Sequence, residues 1–322
     1  MSTSAPPARR RRTILLAALL LGAVGGVSAG VVSPPSPVAA APASRIFGGT
    51  VTRAGDEPPF LAQFASPDSP LKLLCSGVLI TARHVLTIAS CSITVGTRVR
   101  LGAFTAGSGG EVFSVSKVAV PNYRRSETSP LRDNIAVVTF TAEPIWTVDR
   151  LASVGIIPVA LDGSTRVGGG RADATLGPPL PPGGRVSRIW GWGTPNTRRD
   201  QPLSPPGGSA LRSAQAVVIE AEACNTLFAQ ARNTRPNDVY CAKSVGEGPC
   251  LGDSGAGLVS RIGGGDIDGK QNAYVHGLYS VKWSSTLERC VSRFPQGYTS
   301  VRTHAAFIRD AVSPQSVQFV TP

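Results

Sequence analysis

The chain predicts an all-β fold, either a barrel or a sandwich, on three observations. Val, Ile, Tyr and Phe concentrate in short runs: Ser76–Ile80, Val85–Ile88, Ile135–Phe140, Ala214–Glu220, Tyr274–Trp283 and Tyr298–Val301. Such runs fit antiparallel strands, because β-branched and aromatic side chains suit a pleated, half-buried surface. The 36 glycines and 27 prolines punctuate the runs with turns. Only one stripe at helical spacing stands out, Phe307, Ile308, Ala311 and Val312 near the end. With 42% hydrophobic and 16% charged residues the chain can bury a sizeable core, which excludes wholesale disorder. Its 322 residues fit one large all-β domain. The Gly/Pro-rich stretches Asp162–Gly184, Thr194–Gly208 and Arg261–Gly269 read as long surface loops. No internal repeat is present.

The first segment has the layout of an export signal. Arg9 to Arg12 form a basic region and Thr13 to Val32 an apolar one, with a cleavage site offered at Val27-Ser28-Ala29 and a second candidate at Ala39-Ala40-Ala41. The alternative is a single transmembrane anchor of about 20 residues. Four glycines within the run and the prolines after it (Pro34, Pro35, Pro37, Pro42) favour removal. No second apolar stretch is long enough to span a bilayer, so a secreted, extracellular protein is expected. Six cysteines (Cys75, Cys91, Cys224, Cys241, Cys250, Cys290) in an exported chain read as three disulfides, with fifteen connectivities open. The three histidines, His84, His276 and His304, are scattered and no Cys-x-x-Cys occurs, so neither a metal site nor a cofactor is expected.

The formal charge is +12, from 32 basic and 20 acidic residues. Residues 1–45 hold five arginines and no acid, leaving 27 against 20, or +7, for the rest. That excess, with Arg124-Arg125 and Arg198-Arg199, suits an acidic partner, but no nucleic-acid motif accompanies it.

The segment Cys250-Leu251-Gly252-Asp253-Ser254-Gly255-Ala256-Gly257 places a serine in a glycine-rich turn. Such a turn exposes the hydroxyl while backbone N–H groups converge on one point. Cys75–Ile80 followed by Val85–Cys91 resembles the small disulfide loop of trypsin/chymotrypsin-like serine proteases. Ile46-Phe47-Gly48-Gly49 resembles their activated N-terminus, Gly191-Trp192-Gly193 their Gly-Trp-Gly, and Pro295–Val301 their C-terminal strand. The landmarks fall in the family's order over roughly residues 46–312. The resemblance implies two six-stranded antiparallel β-barrels with a cleft between them and a short C-terminal helix. The implied organisation is a signal peptide at 1–29, a propeptide at 30–45, the protease-like domain at 46–313 and a tail at 314–322. It also implies the pairing Cys75–Cys91, Cys224–Cys241 and Cys250–Cys290. As in a zymogen, cleavage after Arg45 would free the Ile46 ammonium to pair with Asp253. The nucleophile position falls on Ser254, and the oxyanion hole on the N–H groups of Gly252 and Ser254.

Two positions break the resemblance. The residue before the second cysteine of the small loop, a histidine in the family, is Ser90. None of the three histidines lies where it would replace it, and each reads as structural or solvent-facing. The family's Asp-Ile-Ala-Leu is matched by Asp133-Asn134-Ile135-Ala136-Val137, which puts Asn134 at the aspartate's place. A one-residue slip would restore Asp133 but reverse the faces of the following strand. Specificity positions depart too: Gly248 stands where trypsin-like members carry an aspartate, and Gln296 replaces a glycine of the pocket wall. Either Val281 or Trp283 takes the place of the family's edge-strand tryptophan, and in the first case Lys282 hangs over the cleft.

Without a base in reach, a serine hydroxyl keeps its proton. Loss of any triad member leaves about 10³–10⁴ of acceleration, far short of the ~10⁶–10¹⁷ typical of enzymes. The expectation is therefore a secreted, monomeric, non-catalytic homologue that binds a protein or peptide partner (a protease, an inhibitor) or an anionic surface. The alternative is an active serine endopeptidase of non-tryptic specificity using Ser254, and a third reading is a weak esterase.

Overall fold

The fold is organised by register: where a strand alternates, one face is buried, and where it does not, both faces are. The structure, a computed structural model of the chain, describes residues 46, 48–66, 69–121, 132–141, 159–160, 183–193, 199–200, 210–244, 247–261, 273–284, 286–288, 290, 294–313 and 319–320. The chain divides into two compact units, Met1–Ala41 and Pro42–Pro322, and every described residue belongs to the second. The expected signal peptide, Arg45, most of the three Gly/Pro-rich loops, and Arg124-Arg125 and Arg198 lie outside the described residues.

A short strand β1 (Thr50–Val51) opens the described chain. Six strands then close a barrel: β2 (Leu61–Ser66), β3 (Ser69–Thr81), β4 (His84–Thr87), β5 (Arg98–Leu101), β6 (Glu111–Ala119) and β7 (Ala136–Phe140), in the order β2-β3-β4-β7-β6-β5. In β5 the sequence Arg-Val-Arg-Leu sends Val99 and Leu101 inward, with Arg98 exposed. Phe113 of β6 meets Phe140 of β7 at a ring separation of 5.0 Å, inside the range at which aromatic pairs attract.

After β8 (Val159–Ala160) come β9 (Val186–Gly191), β10 (Arg212–Val218), helix α1 (Ala221–Gln230), β11 (Val239–Lys243), β12 (Gly257–Arg261), β13 (Ala273–Val281) and β14 (Gln296–Ser300). The sequence β12-β9-β10-β11-β14-β13 closes on itself through the β12–β13 pairing, a second antiparallel six-stranded barrel. Strand β13 is buried on both faces along most of its length. Val275 and Leu278 belong to a core cluster that includes Phe64, Leu86 and Val138 of the first barrel, so the two barrels share apolar packing. Burying a side chain of this size contributes about 1.5–3 kcal/mol.

The fold matches the two-barrel expectation, with additions. Helix α2 (Ala305–Val312) lies against β7 of the first barrel and buries Ala305, Ile308 and Val312; the last two join the shared core cluster, with Phe307 and Ala311 packed at its margin. Helix α1 was not legible, because its ten residues turn only Cys224 and Phe228 fully inward. Part of the expected tail forms β15 (Phe319–Val320), which pairs parallel with β8, itself parallel to β13. No described helix is long and apolar enough to cross a membrane.

Disulfides join Cys75 to Cys91, Cys224 to Cys241 and Cys250 to Cys290, with Cα separations of 6.1, 5.5 and 5.6 Å. Bridges of this kind contribute about 2–4 kcal/mol each in a loop-closure account.

Candidate active site

The turn carrying Ser254 is pinned from several sides. Cys250 ties it to Cys290, and backbone bonds Asp253 N–H to Cys250 O (3.1 Å), Ala256 N–H to Asp253 O (2.9 Å) and Gly255 N–H to Tyr279 O (2.9 Å) set its curvature. Gly252 and Gly255 adopt φ of 95° and 83°, a region other residues rarely enter. At Gly255 a side chain is also sterically excluded, since a Cβ would lie 2.2 Å from Thr87 Oγ1 and 2.4 Å from Ser76 O. That close approach lets the first barrel grip the turn. Ser76 N–H donates to Ser254 O at 2.8 Å, Ser76 Oγ to Gly252 O at 3.3 Å, and Thr87 Oγ1 to Ser76 O at 2.8 Å. The N–H groups of Gly252 and Ser254 donate to no acceptor among the described residues. Two unspent donors flanking a hydroxyl are what stabilises a developing oxyanion.

Asp253 is fully buried. Its Oδ1 accepts from Gly193 N–H at 2.7 Å and its Oδ2 from Cys250 N–H at 3.0 Å. The Gly-Trp-Gly segment exists to make room for it: a Cβ at Gly191 would stand 2.0 Å from Oδ1, and one at Gly193 would stand 2.4 Å from Oδ2. Ile46 is buried in the cluster that includes Ile189, Tyr279 and Tyr298.

Ser90 and Asn134 come together although 44 residues separate them. Ser90 sits exposed in a 3₁₀ turn, Ala89–Cys91, and Asn134 is fully buried just before β7. Asn134 Oδ1 accepts from Ser90 N–H at 2.8 Å, and its Nδ2 donates to Ser90 Oγ at 3.1 Å. Both ends of the amide are therefore spent on one residue. An amide and an aliphatic hydroxyl offer no proton acceptor that works near neutral pH. No described residue hydrogen-bonds the Ser254 hydroxyl.

None of the three histidines is solvent-facing, so that half of the expectation fails. His84 on β4 shares a 2.7 Å hydrogen bond between its Nδ1 and Thr81 Oγ1. His276 lies in the second barrel's core, its Nε2 3.0 Å from both Ser187 Oγ and Ser260 Oγ and its Nδ1 2.7 Å from Tyr240 Oη. His304 meets Asp133 and Asp238, with Nε2 3.3 Å from Asp133 Oδ1 and 3.5 Å from Asp238 Oδ2. Burial lowers His304, but hydrogen bonds to Asp133 and the Ser300 carbonyl and the charges of both aspartates outweigh it, so its pKa is raised. The hydrogen bond from His304 lowers Asp133, while burial raises Asp238. Sequence reading missed this grouping, because its members lie up to 171 residues apart.

Burial, then the Arg185 charge, pushes the His276 pKa down to about 3. The unfolded chain takes up that proton near the ordinary value of about 6.5. The native state then binds fewer protons, so stability is full above pH 6.5 and falls as pH drops toward 3. Between pH 7 and 4 the wild type should lose about 3 kcal/mol more than His276→Gln. Urea unfolding of both proteins at the two pH values measures this, and parallel losses would refute it.

On the substrate side, Gly248 and Gln296 are both buried. Gln296 Nε2 donates to Phe294 O at 3.0 Å. Val281 is the last paired residue of β13, opposite Gly297. Trp283 lies beyond the strand, where it packs edge-on against Phe228 of α1 at 5.2 Å and donates to Pro295 O. Partial burial, then the charge of Arg199, lowers the pKa of the intervening Lys282. The buried Ser280 hydroxyl has no hydrogen-bond partner among the described residues.

A serine in a gripped glycine turn, with unspent N–H donors and a buried neighbouring aspartate, at the junction of two six-stranded barrels, defines the serine-protease class of scaffold. The Trypsin family model matches residues 46–308, and the chain belongs to that family. Phenoloxidase-activating factor 3 of Holotrichia diomphalia is 28% identical over 284 residues, 83% of this chain and 72% of the relative. Trypsin, alkaline A of Manduca sexta is 26% identical over 286 residues, 85% and 94% of the two chains. The solved structure of human heparin binding protein superposes with a TM-score of 0.59, covering 84% of this chain and 99% of that one. At 23% identity it shows the shared fold.

Proposed function

We propose that this chain is a secreted, catalytically silent member of the trypsin family that acts by binding a protein or an anionic partner. The carrying observation is the pair of hydrogen bonds that commits both ends of the Asn134 amide to Ser90. In the family's arrangement those places hold the base and its orienting carboxylate, and a serine and an amide perform neither task. The names of the relatives leave both readings open, one being a trypsin and one an activating factor. The site chemistry supports the silent one. Three disulfides and the basic-apolar leader support export, and the switch residues Arg45, Ile46 and Asp253 support processing from a precursor. Lys282 and Arg199, beside the end of β13, and the +7 balance after residue 45 support an acidic partner.

The second reading, a serine endopeptidase of non-tryptic specificity or a weak esterase, draws on the unspent N–H groups of Gly252 and Ser254. A fluorophosphonate probe separates the two. Protein cleaved after Arg45 should stay unlabelled over the time in which an active family member is fully modified. Rapid labelling that Ser254→Ala abolishes would overturn the silent reading.

A further inference from the structure

Asp133, Asp238 and His304 come from three separate places. Asp133 precedes β7 of the first barrel, Asp238 precedes β11 of the second, and His304 is the residue immediately before α2. One ligand-type atom from each lies within 4.8 Å of the others. We propose that these three residues form a binding site for a first-row divalent cation of the zinc class, clamping the two barrels and α2 together beside Asn134.

Distance is the first argument. A charge-assisted N–H···O⁻ bond runs at about 2.7–2.9 Å, but His304 Nε2 stands 3.3 Å from Asp133 Oδ1 and 3.5 Å from Asp238 Oδ2. Metal bonds of about 2.0–2.1 Å in a tetrahedral site place neighbouring ligands about 3.3–3.4 Å apart. The two spacings match ligand–ligand edges of such a site and are longer than a charge-assisted hydrogen bond, so the His304–Asp133 contact is a long, weak one that an ion can replace.

Orientation is the second. His304 Nδ1 lies 2.8 Å from Ser300 O, a contact that fixes one proton on Nδ1 and leaves Nε2 facing the carboxylates, where it carries a proton toward Asp133 or, with that proton displaced, offers a lone pair to an ion. Metal-binding histidines are held this way by the group behind them.

The third is an unmet demand. Asp238 is 4% exposed, and its Oδ1 has no hydrogen-bond partner among the described residues. Its Oδ2 accepts from Asp133 N–H at 2.7 Å. Two carboxylates this close to a neutral imidazole leave two negative charges, one of them buried, and a divalent ion cancels them. Arg132 comes no nearer to Asp133 Oδ2 than 3.7 Å, and Arg235, which feels the charge of Asp238, spends its guanidinium on Asn225 Oδ1 and the Val239 carbonyl. Asp133, 33% exposed, leaves a route for the ion and a place for a solvent ligand. The competitor for the place is a proton on His304.

The test uses the disulfide-bonded chain, dialysed against EDTA and titrated with ZnCl₂ at pH 7.5 by calorimetry, with Co²⁺ absorbance as a second readout. The expected result is saturable binding of one Zn²⁺ per chain and the visible bands of a four-coordinate Co²⁺. Asp238→Asn and His304→Gln should weaken binding by more than ~100-fold, since even outer-sphere changes cost 10–100-fold. Asp133→Asn, at the partly exposed position, should weaken it too while the metal-free protein melts near the wild-type temperature, so the test does not depend on folding of the buried variants. Absence of saturable binding to the folded wild type would overturn the site. So would an isotherm unchanged in Asp133→Asn.

Discussion

Ser90→His combined with Asn134→Asp is expected to raise hydrolysis of a small activated acyl ester by about 10²–10⁴-fold, the span that a positioned general base supplies. The remaining machinery is in place: the Ser254 hydroxyl has no competing partner among the described residues, and the N–H groups of Gly252 and Ser254 are unspent. Ser90 is exposed, so an imidazole has room, and aspartate matches the shape of Asn134 while keeping an acceptor for the residue-90 N–H. The Cys75–Cys91 bridge and the bond from Ser76 N–H to Ser254 O hold the two halves in fixed relation. Peptide turnover should rise far less, because Gln296 is buried in the expected pocket wall and Lys282 follows the last paired residue of β13. Steady-state ester and peptide assays measure both, with Ser254→Ala in the same background as the control. A folded double variant with no gain on the ester would show that more than the base is missing.

Gly193→Ala should destabilise the protein by about 3–5 kcal/mol, the cost of disrupting a buried, hydrogen-bonded charge. The added methyl would sit 2.4 Å from Asp253 Oδ2 and 2.6 Å from Leu251 O. Neither can yield cheaply: the carboxylate is held by Gly193 N–H and Cys250 N–H, and Leu251 O belongs to the turn that carries Ser254. For a domain of this size the loss corresponds to a melting temperature lower by roughly 10 °C. Asp253→Ala should cost a similar amount by stranding the same two donors. Together the two changes should cost less than their sum, because removing the carboxylate relieves half the collision. Urea denaturation of the four proteins provides the cycle, and strict additivity would mean that Gly193 and Asp253 do not act as one unit.

The scaffold was readable because its signatures are local. The glycines at 191, 193, 252 and 255 answer steric demands of one or two neighbours, and each β-rich run carries its own burial pattern. The Ser90–Asn134 pairing could be anticipated only because flanking landmarks fixed the register, for no local property of Asn134 announces its partner. Helix α1 escaped because two inward residues in ten leave too weak a stripe. The grouping of His304 with Asp133 and Asp238 escaped for a different reason. Its members are brought together by barrel closure and helix docking, and nothing in the spacing of one histidine and two aspartates encodes that meeting.

The disulfides have a consequence for how the molecule holds together. One bridge lies within the first barrel and two within the second, so no described covalent bond other than the main chain crosses between them. Yet β1, from the N-terminal side, pairs with β10 of the second barrel, and α2, at the far end, packs against β7 of the first. Each barrel thus wears the other's loose end. A break in the connecting stretch would yield two interlocked fragments rather than two free ones, because parting them means unzipping a strand and lifting off a helix.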